Sequence, residues 1–207
     1  MTESRELVFF HAPRSRSAGV RILLEELQAP HRLQLVDMKA GAQRQSDYLA
    51  INPMGKLPAL KHGDALITEQ VAIYIYLADE FSAAGLAPAI GHPLRGPYLR
   101  WMAFYGSCFE PALVDRAMQR EPGAQGMSPY GDFDTVLKTL TDQLEKGPYL
   151  LGETFSALDV LWASALGWTT GFKIVPLLPV FEAYIQRMQA RPAFIAAQAK
   201  DAALISG

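Results

Sequence analysis

Cysteine is almost missing. Cys108 is the only one in 207 residues, so the chain can hold no internal disulfide. Neither sign of charge dominates: 19 Lys and Arg stand against 21 Asp and Glu, a net charge of -2. That balance offers no basic field to nucleic acid or to an anionic membrane, and polyanionic partners are disfavoured. Long uninterrupted apolar runs are lacking as well. The most apolar stretches carry Asp159 and Thr169 or are broken by proline, so none reads as a membrane span. No basic region with an apolar core opens the chain; Met1 to Glu6 is polar and charged, and no secretory signal is read there. There are no internal repeats and no low-complexity tract. The expectation is a soluble, cytoplasmic protein. What the chain has in quantity is apolar residues, 50% of the whole, enough for one large core or two small ones. Two small domains is the reading adopted.

The first half alternates element types. Glu6 to Phe10 is a short apolar run ended by His11-Ala12-Pro13, which predicts a buried strand. After Arg14-Ser15-Arg16-Ser17, the residues Val20, Leu23, Leu24 and Leu27 fall at helical spacing, with either serine able to cap. His31 to Val36 alternates as a second strand, and the connection predicts a right-handed crossover between parallel strands. Gln43 to Ile51 predicts an irregular helix. From Glu69 to Phe81 a helix has almost no polar face, so both its sides are expected to be covered. Ser82 to Pro97, rich in Ala, Gly and Pro, reads as a linker.

Beyond it the period is 3.6 throughout. Tyr98, Trp101, Met102, Tyr105, Cys108, Phe109, Ala112 and Leu113 mark a long helix with a bend expected near Pro111, and Cys108 reads as core packing. Glu121 to Pro129 is a break, and Phe133 to Leu144 the next helix. Ser156-Ala157-Leu158-Asp159 reads as a capping box, which makes Asp159 structural. Phe181 to Met188 predicts another helix, and Pro192 opens the last.

The organising stretch is Asn52-Pro53-Met54-Gly55-Lys56-Leu57-Pro58-Ala59-Leu60, followed by Ala65-Leu66-Ile67-Thr68-Glu69-Gln70. Pro58 cannot donate to a ladder and belongs at the head or edge of a strand, which leaves a docking edge for an extended peptide. Thr68 is the expected N-cap, with Glu69 in a first helical turn whose free amides attract an anion. A small zwitterionic peptide fits this arrangement, with its backbone on Leu57 and one end at Glu69 and Gln70.

That run resembles the glutathione-binding half of the cytosolic glutathione transferases, which carry a similar Asn-Pro-x-Gly-Lys-Val-Pro-x-Leu segment and a following Glu-Ser pair. The Ser156-to-Asp159 box is similar to the family's capping motif at its sixth helix, and the resemblance covers nearly the whole chain. It implies an α/β plus all-α fold: a thioredoxin-like βαβ-α-ββα domain over residues 1–82, a linker at 83–97, and a C-terminal helical bundle at 98–207 that contributes the electrophile pocket. It also implies a cis peptide bond before Pro58, pairing of the Leu57 backbone with the cysteinyl part of glutathione, and contacts from Arg16, Lys56, Pro58, Glu69 and Gln70. Leu57 stands where valine is commoner, and Gln70 where serine is usual. Glutathione is implied as co-substrate without a metal, together with a small hydrophobic electrophile, and a homodimer is implied for the assembly.

Members of that family activate the thiol with Tyr, Ser or Cys near the end of the first strand. Here Phe9 and Phe10 occupy the strand end and no cysteine is near, which leaves serine chemistry of the theta-like and zeta-like kind. Aligning Val20-Arg21-Ile22 with that helix puts the usual serine position on Arg14. Ser15, one residue along, is preferred as the activating group and Ser17 follows; backbone amides or Arg16 acting alone are the alternatives. Arg14 and Arg16 would favour a thiolate electrostatically. His11, a lone histidine after a strand, reads as structural. Tyr105, Phe109 and Trp168 are the candidates for the electrophile pocket, expected between the domains. Glutathione-dependent disulfide reduction or isomerisation is the alternative chemistry, although Arg14-Ser15-Arg16 does not match the Ser-Ser-Cys run of the isomerase class. A transferase-shaped interaction protein without catalysis is the alternative of another kind.

Overall fold

Leu7–His11 forms β1, and every one of its five residues is buried. An unbroken apolar strand of this sort is covered on both faces, and its neighbours show why. The computed structural model describes residues 6–121 and 123–206; the polar segment before Glu6 and Pro122 in the expected break lie outside them. Around β1 the sheet runs β2 (Arg32–Leu35), β1, β3 (Ala59–His62), β4 (Ala65–Ile67), with β2 parallel to β1 and both β3 and β4 antiparallel to their neighbours. Phe9 pairs with Leu33 on one side and Leu60 on the other. Alternation along the strand then sorts the faces. Val8 and Phe10 join Val36, Tyr48 and Ala59 in one apolar cluster, with Ala42, Ile51 and Leu57 packed against it.

Helix α1 (Ser17–Glu26) buries Val20, Leu23 and Leu24 as its spacing predicts. A 3-10 turn at Ala42–Arg44 and the single turn α2 (Ser46–Leu49) make up the irregular segment expected there. Helix α3 (Gln70–Glu80) buries Ile73, Tyr74, Leu77 and Ala78. Its N-cap is Glu69 rather than Thr68. The arrangement is the thioredoxin-like one implied by the resemblance, including a cis peptide bond between Leu57 and Pro58.

The described residues form two compact units. One runs up to Ala84 and regains the chain from Pro192 onward; the other is Gly85–Arg191. The helix that opens at Pro192, here α9 (Pro192–Ser206), was expected in the helical bundle, and the structure instead packs it along α1 in the sheet unit. Phe194 and Ala197 are buried there. Periodicity identifies an apolar stripe but not the surface that receives it.

The helical unit consists of α4 (Arg95–Phe104), α5 (Glu110–Ala117), α6 (Phe133–Leu144), α7 (Ala157–Gly171) and α8 (Pro179–Gln189). The residues at helical spacing in α6 and α8 are the buried ones: Val136, Leu137, Leu140 and Leu144, then Phe181, Tyr184, Ile185 and Met188. Between α4 and α5 the bend expected near Pro111 takes the form of a π-helical turn at Tyr105–Phe109. Proline has no amide hydrogen for the carbonyl one turn back, and widening that turn accommodates the lost bond. Helix α7 is buried nearly all round and starts with the Ser156–Asp159 capping box.

Candidate active site

The loop from β1 into α1 folds back on itself through two serines. Ser15 Oγ lies 2.8 Å from the Ala12 carbonyl oxygen and 2.7 Å from Ser17 Oγ, and accepts the Ser17 amide hydrogen at 3.2 Å. Arg14, at φ 59°, bends the backbone into the left-handed region just before Ser15. For an arginine that conformation costs on the order of 1 kcal/mol, and such residues collect at functional loops. Neither serine is the N-cap of α1; Arg16 takes that place.

Ser15 and Ser17 then diverge. Ser15 lines a cavity of about 280 Å³ together with Arg14, Arg16, Met38, Gln43, Arg44, Gly55, Lys56 and Leu57. Ser17 is fully buried, and it accepts the Ala12 amide hydrogen at 3.1 Å while sitting 2.8 Å from His11 Nδ1. As a second candidate for touching a thiol, Ser17 is corrected by its burial: it stands behind Ser15.

The far wall comes from the organising stretch. Gly55 has φ 59°, and a Cβ there would meet the Gln43 carbonyl oxygen at 2.7 Å, so the turn admits only glycine without a shift. The Lys56 carbonyl is held by the Tyr48 hydroxyl at 2.7 Å and by Asn52 Nδ2 at 2.9 Å, which leaves the lysine side chain exposed at the rim. Burial pushes the Tyr48 hydroxyl up to about 12, so at neutral pH it remains a donor. Leu57 lies beyond the last ladder pair, Phe10 with Ala59, and lines the cavity. Four of the nine lining residues are cations, Arg14, Arg16, Arg44 and Lys56, and none is an acid. The buried oxygen Oε1 of Gln43 has no hydrogen-bond partner among the described residues.

Glu69 and Gln70 stand at the start of α3. Glu69 has φ 64° and ψ 117°, a second strained non-glycine residue, and Gln70 Nε2 donates to the Arg16 carbonyl at 3.2 Å. That bond ties the head of α3 to the serine loop. Of the predicted residues, Ser15, Arg16, Lys56 and Leu57 meet at one cavity, Gln70 adjoins it through Arg16, and Pro58 is buried beneath it. Sequence reasoning missed Met38, Gln43 and Arg44: Met38 lies in the loop after β2 and the other two in the 3-10 turn at Ala42–Arg44, and neither carries a motif.

The electrophile-pocket candidates fare differently. Tyr105 and Phe109 are 2% and 1% exposed and pack on Trp162 with ring centroids 5.2 and 4.9 Å away. They are core residues of the helical unit, and assigning them to a pocket is corrected. Trp168 is half-buried beside Phe172. Cys108, expected in the core, is also only half-buried, with Sγ 3.7 Å from the Pro129 carbonyl. Among the described residues no cluster of three or more His, Cys, Asp or Glu has the geometry for a metal ion, and no helix is long and apolar enough to cross a membrane.

Comparison with known proteins bears on both units. The family model described as Glutathione S-transferase, N-terminal domain, matches residues 6–79, and that described as Glutathione S-transferase, C-terminal domain, matches residues 130–187. A crystal structure of a glutathione transferase from Methylococcus capsulatus is 31% identical, covers 95% of this chain and 98% of that one, and superposes with a TM-score of 0.80. The chain belongs to the glutathione S-transferase family of enzymes. A sphingomonad glutathione S-transferase solved in complex with glutathione is 31% identical over 94% of this chain and 98% of its own, with a TM-score of 0.78. The disulfide-bond oxidoreductase YfcG of Escherichia coli is 26% identical over 198 residues, 89% of this chain and 90% of that protein. Relatives named for different reactions thus lie at similar distance from this chain.

Proposed function

We propose that this enzyme binds glutathione in the cavity between the serine loop and Gly55 to Leu57, and that it transfers the thiolate to a hydrophobic electrophile with Ser15 as the activating hydroxyl. The observation that carries the reading is the cavity itself: one hydroxyl, four cations and no acid line it, beside Leu57 just ahead of β3. Glutathione supplies the complement, a peptide backbone with a carboxylate at each end and a thiol between them. Its carboxylates suit Lys56 with Arg44 at one end and the head of α3 at Gln70 at the other. Glu69 suits the γ-glutamyl ammonium. The sphingomonad relative solved with glutathione supports the same choice of ligand.

A free thiol of pKa about 8.5 is only about 3% ionised at pH 7. Lowering it by about two units requires roughly 2.7 kcal/mol of preferential thiolate stabilisation. A hydroxyl donor and the charges of Arg14 and Arg16 are of the right kind and order. The serine-type assignment rests on Ser15 being the hydroxyl at the cavity wall. The half-exposed Trp168 is retained as the electrophile candidate on the helical unit, and a homodimer in the cytoplasm remains the expected setting.

Titrating the thiolate absorbance of bound glutathione tests the assignment. In the wild type the thiol should ionise well below its free pKa, and Ser15→Ala should return it by at least one unit and lower turnover of an aromatic halide by roughly 30-fold or more. A bound thiol that keeps its free pKa would refute activation. Resemblance to YfcG favours one second reading, glutathione-dependent disulfide reduction; turnover of a glutathione mixed disulfide without conjugation of the halide would select it.

A further inference from the structure

Behind Ser15 a line of hydrogen-bonding groups runs from the cavity into the sheet unit and ends on the last helix. Ser15 Oγ is 2.7 Å from Ser17 Oγ, Ser17 Oγ is 2.8 Å from His11 Nδ1, and His11 Nε2 is 3.1 Å from Asp201 Oδ1. The same carboxylate oxygen accepts from Arg21 at 2.5 Å. His11 and Ser17 are fully buried, and Asp201 is 15% exposed in its side chain. Asp201 lies 190 positions from His11, so only the packing of α9 on α1 brings them together.

The direction of every bond follows from the groups present. A carboxylate only accepts, so with an uncharged His11 ring the 3.1 Å contact to Asp201 puts the hydrogen on Nε2 and leaves Nδ1 as an acceptor toward Ser17. The Ser17 hydroxyl has two acceptors within reach, His11 Nδ1 at 2.8 Å and the Ala12 carbonyl oxygen at 3.1 Å, and the shorter contact assigns its hydrogen to His11. Ser17 Oγ already accepts the Ala12 amide hydrogen, and its remaining lone pair faces Ser15. If Ser15 turned instead to the Ala12 carbonyl, two lone pairs would oppose each other at 2.7 Å. In the neutral state Ser15 therefore donates inward, and its free lone pair is turned outward as an acceptor.

We infer that Ser15, Ser17 and His11 form a proton relay that takes the thiol proton of glutathione to His11, with Asp201 as the positioning residue that holds the ring; this rests on the proposed binding of glutathione beside Ser15. The S–H bond breaks as its proton passes to Ser15 Oγ, the Ser15 proton passes to Ser17 Oγ, and the Ser17 proton passes to His11 Nδ1. One S–H bond is replaced by one N–H bond, with no oxidant or reductant. The products are a thiolate and an imidazolium paired with Asp201. The transfer also reverses both hydroxyls: Ser17 now donates to Ser15, and Ser15 donates to the sulfur, the orientation that stabilises a thiolate. Arg21 limits the gain, because it shares the Asp201 oxygen and faces the same pair. Removal of the proton and orientation of the stabilising hydroxyl are then a single event.

Nitrogen-15 NMR of the histidine rings in the full chain at pH 7 reads this directly. With glutathione, His11 should change from the tautomer protonated on Nε2 alone to the imidazolium; with S-methylglutathione, which has no thiol proton, it should stay neutral. Ser17→Ala should abolish that change and lower kcat by about 100-fold while KM moves less than about twofold. Asp201→Asn should lower kcat, and Asp201→Glu should recover part of the loss. The same His11 protonation state with both ligands, or an unaltered kcat in Ser17→Ala, would overturn the relay. If Ser15→Ala still raises the bound thiol pKa in that case, activation by Ser15 stands alone. A wild-type thiol with its free pKa would overturn both.

Discussion

Asp159 is fully buried yet accepts from the Leu150 and Ser156 amides at 2.9 Å each and from the Tyr184 hydroxyl at 2.9 Å. Removal from water outweighs those bonds and pushes its carboxyl up to about 6 from an ordinary value of 3.8. The folded form therefore holds this proton more tightly than the unfolded chain. Its contribution to stability is greatest below pH 3.8 and declines as pH rises toward 6, by up to about 3 kcal/mol. Asp159→Asn does not titrate and turns an amide donor toward an existing donor, at a cost of about 2 kcal/mol. Urea unfolding of both proteins should show the wild type's advantage shrinking from pH 4 to pH 7, and a gap independent of pH would contradict the assigned shift. At Gly55 the argument is steric. Gly55→Ala places a Cβ 2.7 Å from the Gln43 carbonyl at φ 59°, so stability should fall by at least about 1–2 kcal/mol. Glutathione affinity should weaken with it, because Gln43 and Gly55 share the cavity wall; urea unfolding measures the first loss and calorimetric titration the second.

Among the elements, α9 is the one whose place the periodic pattern misassigned. It serves the sheet unit: Phe194 is 2% exposed, whereas Leu204 near the end of the helix is 37% exposed. Phe194→Ala should cost about 3–5 kcal/mol and lower Tm by roughly 6–20 °C, while Leu204→Ala stays within about 0.5 kcal/mol. Differential scanning calorimetry separates these, and equal effects would mean that α9 does not pack through Phe194. Elements with strictly local signals were legible in advance. The buried β1, the stripes of α6 and α8 and the box at Ser156 depend on neighbours within a few residues. Thr68 failed as a cap because the backbone enters α3 through a left-handed Glu69, a turn that residue preference does not reveal.

Over the whole molecule the charge is nearly balanced, at -2, but the cavity lining is not. Four cations line the cavity beside Ser15, so a carboxylate-bearing ligand meets a local field opposite in sign to the net charge. Raising ionic strength from about 0.1 to 1 M shortens the screening length from about 10 to 3 Å. Glutathione affinity should then fall by about threefold to tenfold, as equilibrium titration would show. An affinity insensitive to salt would place the carboxylates elsewhere.

The Asn52 to Leu60 run and the serine loop carry their geometry locally. Proline, glycine and a strand edge restrict the backbone within a few residues, and Ser15, Arg16, Lys56 and Leu57, grouped from sequence alone, line one cavity in the fold. Tyr105 and Phe109 were not, because an aromatic at helical spacing has the same pattern whether it faces a pocket or a core. His11 and Asp201 lay further still from sequence reasoning. Their contact joins the end of the first strand to the last helix, and hydrogen bonds between residues so far apart depend on how helices pack, a property that leaves no periodic trace in the chain.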